Sequence, residues 1–221
     1  MLNTLIFVAL PYVALALLFF VTSYRYLSTR LTWSAFSTEL VERKFLYWGS
    51  NFWHYGIIPI LLAHLITFLI PWQMGRFLGN QNTLLILESV GLGLGLLAFL
   101  GIVVLMLRRV NSPMLKRVTY FSDWLLLSLL LIQAGTGVYI AFFLRWGSLW
   151  YLNTAAPYFW SMWSFNPQPE YMADLPAVLK MHAACAFVII GVLPFTKLVH
   201  MLFLPIDFLK DAPILYRWRS R

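Results

Sequence analysis

Long apolar runs alternate with short polar or basic connections along this chain. A membrane-crossing helix needs about 20 consecutive, mostly apolar residues. Five stretches qualify: roughly 4–24, 50–71, 84–107, 123–144 and 178–204. The pattern predicts an all-α membrane protein, with five transmembrane helices forming a bundle in one integral membrane domain over 1–221. The first run has no basic residues before it and no small-residue cleavage site, so it is read as a retained span rather than a signal peptide. The fifth is long enough to tilt or to extend past the bilayer. Segment 146–176 is aromatic and broken by Pro157, Pro167, Pro169 and Pro176. It is expected to be a loop on the membrane surface, with its Trp and Tyr residues at headgroup level. Segment 205–221 reads as a short charged tail.

Composition narrows the class. Of 221 residues, 61% are hydrophobic and 11% charged, against about 45–50% and about 25% in soluble domains. Such a chain is neither a soluble enzyme, nor a nucleic-acid binder, nor a disordered tail. Its net charge of +8 is unevenly placed. One face of a five-span arrangement carries Arg25, Arg30, Arg43, Lys44, Arg108, Arg109, Lys116, Arg117, Lys210, Arg217, Arg219 and Arg221; the other carries Arg76, Arg145 and Lys180. Cytoplasmic connections are rich in Lys and Arg. The expected topology therefore has the N-terminus outside and the C-terminus cytoplasmic, in the cell inner (cytoplasmic) membrane as a multi-pass protein. The lone Cys185 excludes an internal disulfide framework and a Cys-based zinc or iron–sulfur site.

The chemistry lies in four histidines, His54, His64, His182 and His200. Two fall in the second span and two in the fifth. Ionisable residues inside a membrane are costly and mark function. The alternative is four neutral imidazoles that only bridge helices. With the second span running outward and the fifth inward, His54 is level with His200, and His64 with His182. Two bis-histidine sites stacked across the bilayer suit two b-type haems, an inner and an outer one. Zinc would call for three or four ligands around one point, and the absence of C-x-x-C-H excludes covalent haem attachment.

One dimension fits poorly. At 1.5 Å per residue, the step from His54 to His64 is about 15 Å and that from His182 to His200 about 27 Å. Bends at Pro59 and Pro194, or a vertical offset of about 6 Å at each haem, are expected to absorb the difference. Gly91 and Gly95, in a small-xxx-small arrangement, read either as a close helix contact or as clearance beside a flat cofactor.

Haems with two axial histidines relay single electrons. A lipid-soluble quinol is the natural donor, and a protein docked on the basic face the natural acceptor. Several stretches carry a family resemblance: Tyr24-Arg25-Tyr26; Thr32-Trp33 to Arg43-Lys44; Ser50-Asn51-Phe52-Trp53-His54; Ala63-His64 with Pro71; Ser122-Asp123 through Leu127-Ser128-Leu129-Leu130 and Ile132-Gln133; and Pro194-Phe195-Thr196-Lys197-Leu198-Val199-His200 with Pro205-Ile206-Asp207-Phe208-Leu209. In these the chain resembles the cytochrome b (gamma) subunit of membrane-bound respiratory nitrate reductase, over nearly its whole length. Segment 146–176 matches poorly.

The resemblance implies a role. Quinol or menaquinol is oxidised near the outer haem of His64 and His182, and its protons leave outside. Electrons pass to the inner haem of His54 and His200. They continue to an iron–sulfur beta subunit and a molybdenum-containing alpha subunit on the cytoplasmic face, where nitrate is reduced. Moving each electron inward costs about 2.3 kcal/mol per 100 mV of membrane potential. The chain would thus belong to a quinol:nitrate oxidoreductase whose nitrate chemistry sits on a partner. Other expected partners are the quinone pool and membrane lipid; no nucleic acid is expected.

Further residues have paired readings. His64, Thr67 and Asn82 are candidates for the quinol contact, or else ordinary helix polar groups. The family can carry a lysine near the start of the third span, where this chain reads Asn80-Gln81-Asn82-Thr83. Lys197, Arg108 and Arg109 pair with haem propionates, or snorkel to the headgroups. Asp123 reads as a helix N-cap. Glu88 is an interfacial carboxylate or a proton acceptor from quinol. Glu39 and Glu42 are expected in salt bridges or against the beta subunit. Rival functions are the cytochrome b of a heterodisulfide-reductase-like or sulfur-metabolism complex, a haem-free membrane anchor, and a transporter. The last would call for repeated halves, and the five spans show none.

Overall fold

The structure is a computed structural model and describes residues 1–28, 42–144 and 147–202. Arg30, Glu39, Arg145, the tail 205–221 with its four cations, and residues 203–204 of the fifth run lie outside the described residues. Five helices are long and apolar enough to cross a membrane. They are α1 (Leu2–Ser28), α2 (Lys44–Leu69), α4 (Gln81–Asn111), α6 (Phe121–Phe143) and, within the run Ala177–Phe195, α9 (Ala177–Val192). Short helices link them: α3 (Pro71–Leu78), α5 (Pro113–Arg117), α7 (Gly147–Asn153) and α8 (Ala155–Trp163). Among the described residues there is no strand. The all-α, five-helix architecture is thus as the hydrophobic pattern predicts.

Local chemistry sets the helix ends. The Glu42 carboxylate accepts from the amides of Phe45 at 2.9 Å and Leu46 at 3.2 Å, two of the donors left over at the start of α2. Asn80 caps α4 by accepting from the amides of Asn82 and Thr83. Asp123 lies three positions past the N-cap of α6, which is Tyr120, and reaches back to the Tyr120 amide at 3.2 Å. It does a capping job from inside the first turn, rather than as the N-cap itself. Pro71 and Pro113 open α3 and α5, where a missing N–H costs nothing.

The long helices pack in the order α2, α4, α6, α9, α1. The tightest contact is α2 on α4. A Cβ added at Gly101 would stand 2.4 Å from the Trp53 nitrogen, and one at Gly56 would stand 2.6 Å from the Ala98 nitrogen. Backbone therefore touches backbone, as small residues allow between membrane helices. By contrast, a Cβ at Gly91 or Gly93 meets nothing within 4 Å, and one at Gly95 meets only Val138, at 3.4 Å. Of the two readings of Gly91-x-x-x-Gly95, close helix contact is not the one this fold uses. The helix-packing glycines are Gly49, Gly56 and Gly101.

Two expectations are corrected. The fifth span is not one long helix. Its α-helix ends at Val192, followed by 3-10 turns at Leu193–Phe195 and Lys197–Met201, with Thr196 extended between them (φ −118°, ψ 171°). Pro194 has no N–H to continue the ladder, so it ends the helix instead of bending it. The 27 Å step assumed a straight helix, so the mismatch it produced has no basis. Pro59, by contrast, sits inside α2 without interrupting it.

Nor is 146–176 a surface loop. It forms α7, α8 and a 3-10 turn at Pro169–Met172, and caps one end of the bundle. Tyr158, Met162 and Met172 share a buried cluster with Phe7 of α1. The Tyr158 hydroxyl donates to the Phe7 carbonyl at 2.8 Å, and the Tyr12 hydroxyl to the Met162 carbonyl at 2.9 Å. Trp160 donates from its indole to the Phe68 carbonyl, and Phe159 stacks on Phe68 with ring centroids 4.7 Å apart. Of the aromatic residues that read as headgroup anchors, Tyr158 is buried in this cap, whereas Trp160, Trp163 and Tyr171 keep exposed faces. The opposite end carries Arg25, Lys44, Arg108, Arg109 and Lys197, and is called the basic end below.

Candidate functional site

Three of the four histidines present themselves alike. His54 Nδ1 lies 2.7 Å from the Ser50 carbonyl, His64 Nδ1 2.8 Å from the Ile60 carbonyl, and His200 Nδ1 2.7 Å from the Lys197 carbonyl. A carbonyl can only accept, so each Nδ1 carries the proton and each Nε2 holds a lone pair. The first two bonds run back one helical turn on α2; the third runs back three residues in the 3-10 turn. All three side chains are exposed on the bundle surface. An imidazole whose N–H is fixed by a carbonyl, with the other nitrogen turned outward, is the arrangement metal-bound histidines use.

His182 reaches the same tautomer by another route. Its Nδ1 lies 2.9 Å from Thr136 Oγ1, and its Nε2 lies 3.1 Å from the Gln133 side-chain amide, both on α6. Gly137 lies beside the ring, where an added Cβ would be 3.2 Å from His182 Cε1. Trp53, next to His54, and Leu198, two residues before His200, belong to one apolar cluster with Ala98, Ile102, Leu126, Leu127 and Leu130. No group of three or more His, Cys, Asp or Glu gathers at one point among the described residues. The donor set is imidazoles without a third ligand beside them among the described residues, which suits a flat macrocycle better than a compact tetrahedral ion. For His182 to bind iron, the Gln133 amide must turn off its Nε2.

At the basic end the three cations expected to be propionate partners have carboxylates of their own. Arg108 donates to the Glu42 carboxylate at 2.7 Å and to its main-chain carbonyl at 2.6 Å. Lys197 Nζ lies 3.0 Å, and Arg109 Nη1 3.6 Å, from the same Asp123 oxygen. Arg25, at the end of α1, donates to the Pro194 carbonyl. The segment carrying His200 is thus held by α1 and α6 together. Burial pushes the Glu42 carboxyl up, but the Phe45 amide, the Arg108 guanidinium and the Leu46 amide outweigh it and hold the group below its ordinary value. The expectation of a salt bridge at Glu42 is met.

The quinol candidates sit toward the cap end. The Thr67 hydroxyl donates to the His64 carbonyl at 2.8 Å, leaving its oxygen lone pairs unused by that bond. Asn82 is in the exposed first turn of α4, its amide N–H taken by the Asn80 cap. Reading the residues alone missed Gln133 and Thr136 as partners of His182, and Asp123 as the meeting point of two cations. The signal for the first pair was there: two polar residues three apart in an otherwise apolar run.

The sequence model of the nitrate reductase gamma subunit family matches residues 3–219. The chain belongs to this family. It is 33% identical to the nitrate reductase gamma chain of Bacillus subtilis over 96% of both chains. It is 27% identical to the respiratory nitrate reductase 1 gamma chain of Escherichia coli, over 99% of this chain and 98% of that one. It also matches, at 27% identity, a nitrate reductase-like protein of Mycobacterium tuberculosis, of which it covers 34%. As a gamma subunit, the chain is a multi-pass membrane component of an oxidoreductase complex with other nitrate reductase subunits.

Proposed function

We propose that this gamma subunit oxidises quinol within the membrane and delivers the electrons to an iron–sulfur beta subunit, which passes them to a molybdenum-containing alpha subunit that reduces nitrate. His64 with His182, and His54 with His200, would each hold one b-type haem. When bound, two such haems supply one-electron relay across the bilayer. The observation that carries the reading is the common tautomer. All four imidazoles are fixed at Nδ1 and carry their lone pair on Nε2.

The chain's own residues do the rest. The Nδ1–H bonds hold each ring and raise the basicity of the free nitrogen. The Thr67 oxygen offers a hydrogen-bond acceptor near the cap end, where quinol gives up two electrons and two protons, whereas the His64 Nδ1–H is already taken by the Ile60 carbonyl. The basic end, opposite the cap, faces the cytoplasm and the partner subunits, with the N-terminus outside, in the cytoplasmic membrane; the concentration of Lys and Arg there supports that orientation. Lys197 and Arg109 share Asp123 and so remain available to a second anionic group. Asn82 is the remaining candidate for the quinone oxygen.

The test is a dithionite-reduced minus oxidised spectrum of the purified membrane complex, with a pyridine-haemochrome count. Two b haems per chain are expected. His64→Ala and His182→Ala should remove the same haem, and His54→Ala and His200→Ala the other. Absence of haem, or loss in crossed pairs, would overturn the assignment and leave a membrane anchor whose histidines join helices.

A further inference from the structure

Three histidines take their Nδ1–H bond from a carbonyl within their own segment. His182 alone is turned toward another helix. Thr136 Oγ1, its partner, lies 2.7 Å from the Ile132 carbonyl and 3.1 Å from the Gln133 carbonyl. The Gln133 amide nitrogen can only donate to His182 Nε2, so Nδ1 carries the proton and Thr136 Oγ1 accepts it, leaving the hydroxyl proton for a backbone carbonyl. The direction of the whole chain is fixed: His182 to Thr136 to the α6 backbone. Thr136 is buried, 7% exposed, where such chains polarise one another. Gly137 stands against the same ring, so the imidazole is located from two adjacent positions of α6.

We propose that Thr136 is the positioning residue for His182: its hydroxyl, acting as acceptor, fixes the tautomer and sets how strongly Nε2 donates to iron. This rests on the axial pairing proposed above. The consequence is an asymmetry between the two haem sites. Both ligands of the His54–His200 pair lean on backbone carbonyls that no side-chain substitution removes, and the Ser50 hydroxyl, 3.2 Å from His54 Nδ1, is only a longer second contact beside the 2.7 Å carbonyl. The His64–His182 pair leans, on one side, on a side-chain hydroxyl that a single substitution deletes. Without that acceptor the imidazole is less electron-rich, ferric iron is less stabilised, and the midpoint potential of that site rises.

The experiment uses the purified complex carrying Thr136→Val, which removes the hydroxyl at similar volume, and Thr136→Ser, which keeps it. The readouts are the midpoint potentials of the two b haems and their low-spin electron paramagnetic resonance signals, assigned by the haem that His182→Ala removes. The expected result is an upward shift and an altered signal at that haem alone in Thr136→Val, with Thr136→Ser returning both to wild type. Loss of that haem in the valine variant, with the serine variant retaining it, would be the same result in stronger form. Unchanged potentials in Thr136→Val, equal shifts at both haems, or a serine variant that behaves like valine would overturn the proposal. Should His182→Ala leave both haems in place, the pairing itself fails; should it remove one while Thr136→Val moves nothing, only the role of Thr136 fails.

Discussion

Lys197 Nζ stands 3.0 Å from Asp123 Oδ2, and this pair joins the 3-10 turn that carries His200 to the first turn of α6. Asp123 also receives Arg109 at 3.6 Å and the Tyr120 amide at 3.2 Å. One buried carboxylate thus serves two cations and a helix start. Breaking a buried pair costs about 3–5 kcal/mol; the Lys197 side chain is 35% exposed, which lowers the figure through solvent screening. Asp123→Ala should destabilise the complex by about 1–3 kcal/mol, read as a lower thermal midpoint in detergent. Asp123→Asn, which keeps an acceptor for the amide, should lose less. An alanine variant as stable as wild type would show that the two cations find other partners.

Glu42 gives a pH dependence with a definite sign. Its folded pKa is lower than its ordinary value of 4.5. The stability it contributes is therefore fully present above about 4.5 and is lost as the pH falls through the lower, folded value. Unfolding followed between pH 7 and pH 3 should show an acid limb from Glu42. That limb should shrink in Glu42→Gln, whose neutral amide cannot hold Arg108 as an ion pair. Superimposable acid profiles would assign the limb to other carboxylates.

The glycines separate into two groups. Gly101→Ala drives a methyl into the Trp53 backbone, and neither helix can yield locally. It should cost about 1–3 kcal/mol, the usual range for overpacking. Gly91→Ala meets nothing within 4 Å on a neighbouring element among the described residues, so thermal stability should stay at the wild-type value or rise by up to about 1 kcal/mol from helix propensity. Equal destabilisation by both would contradict the placement of the α2–α4 contact.

Tyr158 is 4% exposed and its hydroxyl satisfies the Phe7 carbonyl. Tyr158→Phe leaves that carbonyl without its partner, at a cost of about 1–3 kcal/mol. Limited proteolysis should cut within 146–176 faster in the variant. Unchanged cleavage would mean that the apolar contacts of the cap suffice without the hydrogen bond.

The five long helices were legible because membrane thickness imposes a length and an apolar content that a sequence displays directly. The histidines were legible because an ionisable side chain is costly in hydrocarbon, so four of them in two apolar runs stand out from everything around them. Three things were hidden, each for a physical reason. The break at Thr196 was invisible because Pro194 is compatible with a kinked helix as well as with a terminated one. The cap over α1 was invisible because aromatic residues serve equally at a headgroup interface and in a small core, and proline spacing does not choose between them. The seat of His182 was invisible because it depends on which face α6 turns toward α9. That is settled by packing partners, which no periodicity within α6 specifies.

The packing order also has a consequence for how the protein is made. The first of the five long helices, α1, packs on the fifth, α9, and takes its end cover from a segment whose hydrogen bonds to it span 150 and 151 residues of sequence. While α2, α4 and α6 can associate as they emerge, α1 must wait in lipid until the 146–176 segment and α9 have been inserted. Its docking is a late event. Truncating the chain ahead of 146–176 should leave α1 unassociated while the α2–α4 pair still forms, which inter-helix cysteine cross-linking of stalled insertion intermediates would report.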